Sequence, residues 1–109
     1  VPDAMYCGPK SLLFVEYKYV KELPKRDSTF IKHSLTPLQS QWLERINGPS
    51  VSALVIGVEE SALILVGDFS ANISRMRFLE HNVSRQDVAT WIYNVTVLGR
   101  NTNEQENRR

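Results

Sequence analysis

Residues 1–20 read VPDAMYCGPKSLLFVEYKYV, and the way this stretch folds back on itself decides the architecture. Gly8-Pro9 is a strong turn signal. Val1 to Cys7 before it and Ser11 to Val20 after it carry the β-branched and aromatic residues of strands. The two runs predict a hairpin with Gly8, Pro9 and Lys10 at its bend. Side chains alternate between faces along a strand, so Leu12, Phe14, Glu16 and Lys18 share one face, expected to point to the core. Leu13, Val15, Tyr17 and Tyr19 share the other. A carboxylate and an ammonium at the end of an apolar row need an explanation, and the hairpin offers one. It brings Asp3 toward the Glu16 end of the second strand, so two carboxylates and one amine converge.

Working outward, the chain has 109 residues, enough for one domain with a single core. Hydrophobic residues make up 42% and charged residues 23%, the balance of an ordinary globular protein. A net charge of +1 does not by itself announce nucleic acid, so such a surface must come from local arrangement. The lone Cys7 cannot form an intrachain disulfide and favours a reducing, intracellular (cytoplasmic) setting. No apolar run approaches the roughly 20 residues that span a bilayer, so no membrane partner is expected. Three sequons, Asn72-Ile-Ser74, Asn82-Val-Ser84 and Asn94-Val-Thr96, raise a secreted glycoprotein domain as an alternative. The absence of a disulfide framework speaks against it.

Lys21 to Ser34 contains Pro24 and shows no period, so it reads as a loop. Thr36 to Ile46 is the clearest helix: Thr36 suits an N-cap, Pro37 the first helical position, and Asn47-Gly48 a stop. Leu38, Trp42 and Ile46 mark its expected buried stripe, with Leu35 and Leu43 beside it. Val51 to Val58 and Ala62 to Val66 read as two strands joined at Glu59-Glu60-Ser61. Ser84 to Tyr93 reads as a helix capped by Ser84, with Val88, Trp91 and Ile92 on its apolar face. Residues 1–98 form the expected domain and 99–109 a polar tail, frayed from Thr102 on. The order strand, strand, helix, strand, strand, helix predicts a mixed sheet with flanking helices, an α/β or α+β sandwich.

Asp3, Glu16 and the main-chain carbonyl of Tyr17 make a hard oxygen donor set suited to Mg²⁺, with Mn²⁺ as substitute. Lys18 stands beside it, where an ammonium can orient water or offset charge on a phosphoryl centre. Pro2-Asp3, twelve intervening residues, then Glu16-Tyr17-Lys18 resembles the PD-(D/E)XK motif of the nuclease superfamily that includes restriction enzymes, resolvases and exonucleases. LTPLQSQWLERING, residues 35–48, is similar to the helix after the Glu-x-Lys strand in small stand-alone nucleases of the VRR-NUC group. A Gln near the start of that helix turns toward the site; by position this is Gln39, with Gln41 the second choice. The resemblance covers about residues 1 to 58. It implies a restriction-endonuclease-like mixed β-sheet flanked by helices. It also implies a Mg²⁺-dependent DNA endonuclease, structure-specific for junctions or flaps, with Asp3, Glu16, Lys18 and Gln39 catalytic. A catalytically inactive nucleic-acid-binding module on the same fold is the other outcome. In the family a helix and a strand precede Pro-Asp, and here the sequence opens at Val1. Either those elements lie outside it or a second copy covers the sheet edge, which leads to the expectation of a homodimer.

Lys10, Lys21, Lys25, Arg26 and Lys32 form the expected nucleic-acid contact set. For the four in the loop, a plain solvated surface diluted by Glu22 and Asp27 is the alternative. Arg75 and Arg77, in ISRMRF, read as charges along an exposed strand edge, or as a second phosphate stripe. His33 and His81 lack partners at metal-ligand spacing, which argues against zinc. Cys7 has no neighbouring His to make it a nucleophile.

Overall fold

The computed structural model describes residues 2–100. Eight elements follow in order: β1 (Ala4–Cys7), β2 (Leu12–Val20), α1 (Pro37–Ile46), β3 (Val51–Val58), β4 (Ser61–Leu65), α2 (Arg75–His81), β5 (Val83–Ser84) and α3 (Arg85–Thr96). The five strands form one sheet in the order β1-β2-β3-β4-β5. β1 and β2 are antiparallel, β2 and β3 parallel, and the remaining pairs antiparallel, so the sheet is mixed and the architecture α/β. Parallel neighbours need a crossover, and α1 is that crossover.

β3 explains the layering. Its sequence VSALVIGV is apolar on both faces, the pattern of a strand covered on two sides. Leu54, Ile56 and Val58 join Leu43 of α1 and Phe78 of α2 in one buried cluster. Ala53 and Val55 join Leu13, Val15, Trp91 and Val95 in the other, under α3. The most deeply buried side chains of β2 are therefore Leu13 and Val15, on the face expected to be secondary. The Phe14–Glu16–Lys18 row lies beneath α1, where Phe14 meets Trp42 edge to face at 6.2 Å and 68°. Leu12, at the start of that row, is exposed.

Two sequence readings are corrected. Leu38 is 72% exposed and does not belong to the buried stripe of α1. The inward face is instead Leu35, Gln39 and Leu43, flanked by Ser40, Trp42 and Ile46. Ser40 and Leu43 are the fully buried members. Arg75 and Arg77 stand on a helix, not a strand edge. Ser74 caps α2 by accepting from Arg77 N, and Phe78 anchors it in the core.

The basic loop is tied down at several points. Arg75 pairs with Asp27 through its guanidinium. Arg75 N donates to Thr29 O at 3.0 Å, Met76 N to Asp27 O at 3.0 Å, and Ile31 N to Ile73 O at 2.7 Å. At the opposite end of β2, the hairpin turn docks on the last turn of α3. Lys10 N and Ser11 N donate to Thr96 O at 3.0 and 3.3 Å, satisfying a carbonyl that the helix leaves open. Gly8 is required there, because a Cβ would stand 2.4 Å from the same Thr96 oxygen. Gly99, at φ +71°, closes α3, and Arg100 N returns to Asn94 O at 2.9 Å. The expected tail from Thr102 onward lies outside the described residues. Among the described residues, no helix is long and apolar enough to cross a membrane.

Candidate active site

The site begins with strand register. β1 opens at Ala4, which pairs with Val15, so Asp3 stands just ahead of the ladder at its Glu16 end. Asp3 turns an oxygen to the backbone: Tyr17 N donates to Asp3 Oδ2 at 2.9 Å. Within a strand the N–H and C=O of one residue leave on the same side, so the Tyr17 carbonyl also points toward the β1 edge.

α1 then covers Glu16. The helix runs back against β2, so earlier residues of the helix lie over later residues of the strand. Trp42 lies over Phe14, and Gln39 therefore arrives over Glu16. Gln39 Nε2 donates to Glu16 Oε2 at 3.2 Å. Its Oε1 accepts from Thr36 N at 3.1 Å, while Gln39 N donates to Thr36 Oγ1 at 3.1 Å. This capping box fixes the amide with its nitrogen toward Glu16. Gln41, the second choice from the sequence, is exposed and lines a different cleft.

Glu16 is 4% exposed, a buried carboxylate. Lys18 Nζ approaches the same Oε2 at 3.3 Å. Two carboxylates, each held through one oxygen, are with a main-chain carbonyl the kind of oxygen donor a hard divalent cation takes. Among the described residues, no group of three or more His, Cys, Asp or Glu side chains stands close enough together to hold a metal ion.

His33 is a neighbour that the sequence reading set aside. It accepts from Leu35 N through Nδ1 at 3.2 Å. Burial lowers its pKa below the usual histidine value, and the Lys18 charge lowers it further. The signal available in sequence was its place between two inward apolar residues, Ile31 and Leu35. On the opposite face Tyr17 OH meets Tyr6 OH at 2.7 Å. Burial and this bond raise the Tyr17 pKa, with the Tyr6 and Asp3 charges adding to the effect.

The basic residues do not form one group. Lys21, Lys25, Arg26 and Lys32 are exposed and follow the Lys18 end of β2. Lys10 is at the other end, about 20 Å from Glu16 at the rise of an extended strand. Compared with family models, curated proteins and solved structures, the chain matches none.

Proposed function

We propose that this chain is a metal-dependent nuclease of the PD-(D/E)XK type that hydrolyses DNA phosphodiesters. One observation carries the reading: a buried carboxylate, Glu16, takes both Lys18 and Gln39 on one oxygen and has Asp3 across the hairpin. Taking a carboxylate and an ammonium out of water costs more than a surface ion pair returns, so stability is a poor reason for this arrangement. The order hairpin, helix, parallel strand also supports the resemblance. Asp3 stands just ahead of β1, the Glu-x-Lys pair is on β2 and the Gln is on the following helix, an order similar to the one that the resemblance implies.

Asp3, Glu16 and the Tyr17 carbonyl are the groups that would hold Mg²⁺ or Mn²⁺. When bound, the ion supplies Lewis-acid polarisation of the phosphodiester and a lower pKa for water. Lys18 donates to the attacking water and stays positive as charge builds on the phosphoryl oxygens. The water oxygen bonds to phosphorus and loses a proton to solvent, the P–O bond to the leaving sugar oxygen breaks, and that oxygen takes a proton from a second water to leave as the hydroxyl. Gln39 is a positioning residue that holds Glu16 in place. Lys21, Lys25, Arg26 and Lys32 contact backbone phosphates, a sequence-independent and salt-sensitive role.

Incubation with supercoiled plasmid and with branched DNA tests the reading. Cleavage is expected with Mg²⁺ or Mn²⁺, none with EDTA, and none for Glu16→Gln. Cutting that persists in EDTA removes the metal assignment. Cutting by Glu16→Gln at the wild-type rate removes the site.

A further inference from the structure

A cleft of about 460 Å³ lies between α1 and residues 69–72, lined by His33, Ser40, Gln41, Glu44, Ser70 and Asn72. Its size falls within the range of small-molecule sites. The lining contains no Lys or Arg, and the Glu44 carboxylate opposes an anion. Hydroxyl and amide groups instead supply donors and acceptors together, which is what the edge of a nucleobase needs. Phe69, fully buried, contributes an apolar wall.

Thr36, which also lines the cleft, is bonded to Gln39 and through it to Glu16, so the cleft adjoins the candidate site. The Leu35 N–H occupies the His33 Nδ1 at 3.2 Å, so the neutral ring carries its proton on Nε2. The ring is thereby a fixed donor at one nitrogen. The Lys18 ammonium, whose charge reaches the ring, opposes a second proton.

We propose that this cleft is a nucleobase-binding subsite in which the Nε2–H of His33 donates to a base carbonyl oxygen. The base belongs to an unpaired nucleotide next to the phosphate held near Asp3 and Glu16. The proposal rests on the nuclease reading for the source of the base, and a strand with unstacked bases is the substrate form that fits.

Short oligothymidylate and an oligomer of equal length made of abasic spacers are the two probes, titrated without divalent metal so that neither is cut. The readouts are affinity and the NMR shift of the His33 Cε1–H. His33→Asn keeps an oxygen acceptor for Leu35 N and withdraws the donor from the Nε2 position, because the shorter amide ends where the ring Cδ2 stood; Asn72→Ala, at an exposed position, alters the cleft with little risk to folding. Wild type is expected to bind oligothymidylate at least about tenfold tighter than the abasic oligomer, and each variant to lose a large part of that difference. The His33 signal shifts with the base-bearing probe only. Equal binding of both probes by wild type, or unchanged preference in both variants, overturns the proposal. Cleavage of plasmid by a protein that ignores the base leaves the nuclease reading standing and removes this subsite. Base-dependent binding by a protein that cuts no DNA does the reverse.

Discussion

Gln39 donates from Nε2 to Glu16 Oε2 at 3.2 Å, and so joins the first turn of α1 to the centre of β2 through a single amide. The same amide closes the capping box with Thr36, so a helix start and a buried carboxylate are held by one side chain. Thr36→Ala and Gln39→Ala separate the two duties. Each is expected to cost about 1 kcal/mol or somewhat more in chemical denaturation. Only Gln39→Ala is expected to lower cleavage substantially. Equal losses of activity in both variants assign Gln39 to the helix cap alone.

Lys18 lies against Glu16 through one oxygen and is expected to act on the transition state, not on ion binding. Lys18→Ala should retain Mn²⁺ affinity in calorimetry while cleavage falls on the order of 10²-fold or more. A variant that cuts at the wild-type rate reduces the Glu16–Lys18 pair to an ordinary ion pair.

Burial and the Lys18 charge hold His33 below the ordinary histidine pKa of about 6.5. The unfolded chain therefore binds more protons than the folded one as pH falls through that value, and folding stability declines with it. Wild type should lose more Tm between about pH 7.5 and about 5.5 than His33→Asn does. Parallel Tm profiles for the two proteins contradict this.

Gly8→Ala forces a methyl group against Thr96 O, a backbone atom that cannot swing aside. A loss on the order of 1–3 kcal/mol is expected. The consequence is local to the hairpin turn and the end of α3, so cleavage per folded molecule, measured well below Tm, should stay near wild type.

The hairpin, α1 and the β3–β4 pair are legible in sequence because their signals are local: Gly8-Pro9, Thr36-Pro37 and Asn47-Gly48 punctuate runs of clear period. Asp3 reaches the Tyr17 N–H, next to Glu16, for the same reason, since the turn length sets the register. The inward face of α1 was less legible. Counting apolar residues favoured Leu38, but part of what the helix covers is a carboxylate, and the residue chosen for that place is Gln39. α2 is only seven residues long and opens Arg-Met-Arg, too short for a period to show against a strand reading. The anchoring of the basic loop depends on Ile73 and Arg75, more than forty residues downstream of most of it, and no local pattern announces that. His33 gained its interest only when Lys18 came beside it in space.

β2 is bonded on both sides, to β1 by a local hairpin and to β3 across a crossover that includes α1. Glu16 and Lys18 sit beside Leu54 and Ile56 at the middle of that second ladder. Amide hydrogens at such a position exchange mainly through global opening, whereas edges and turns open locally. The Glu16 side of the site therefore has no partly loosened form of its own. Its slowest-exchanging amides should report the stability of the whole molecule, and heating should abolish activity at the temperature where the sheet itself comes apart.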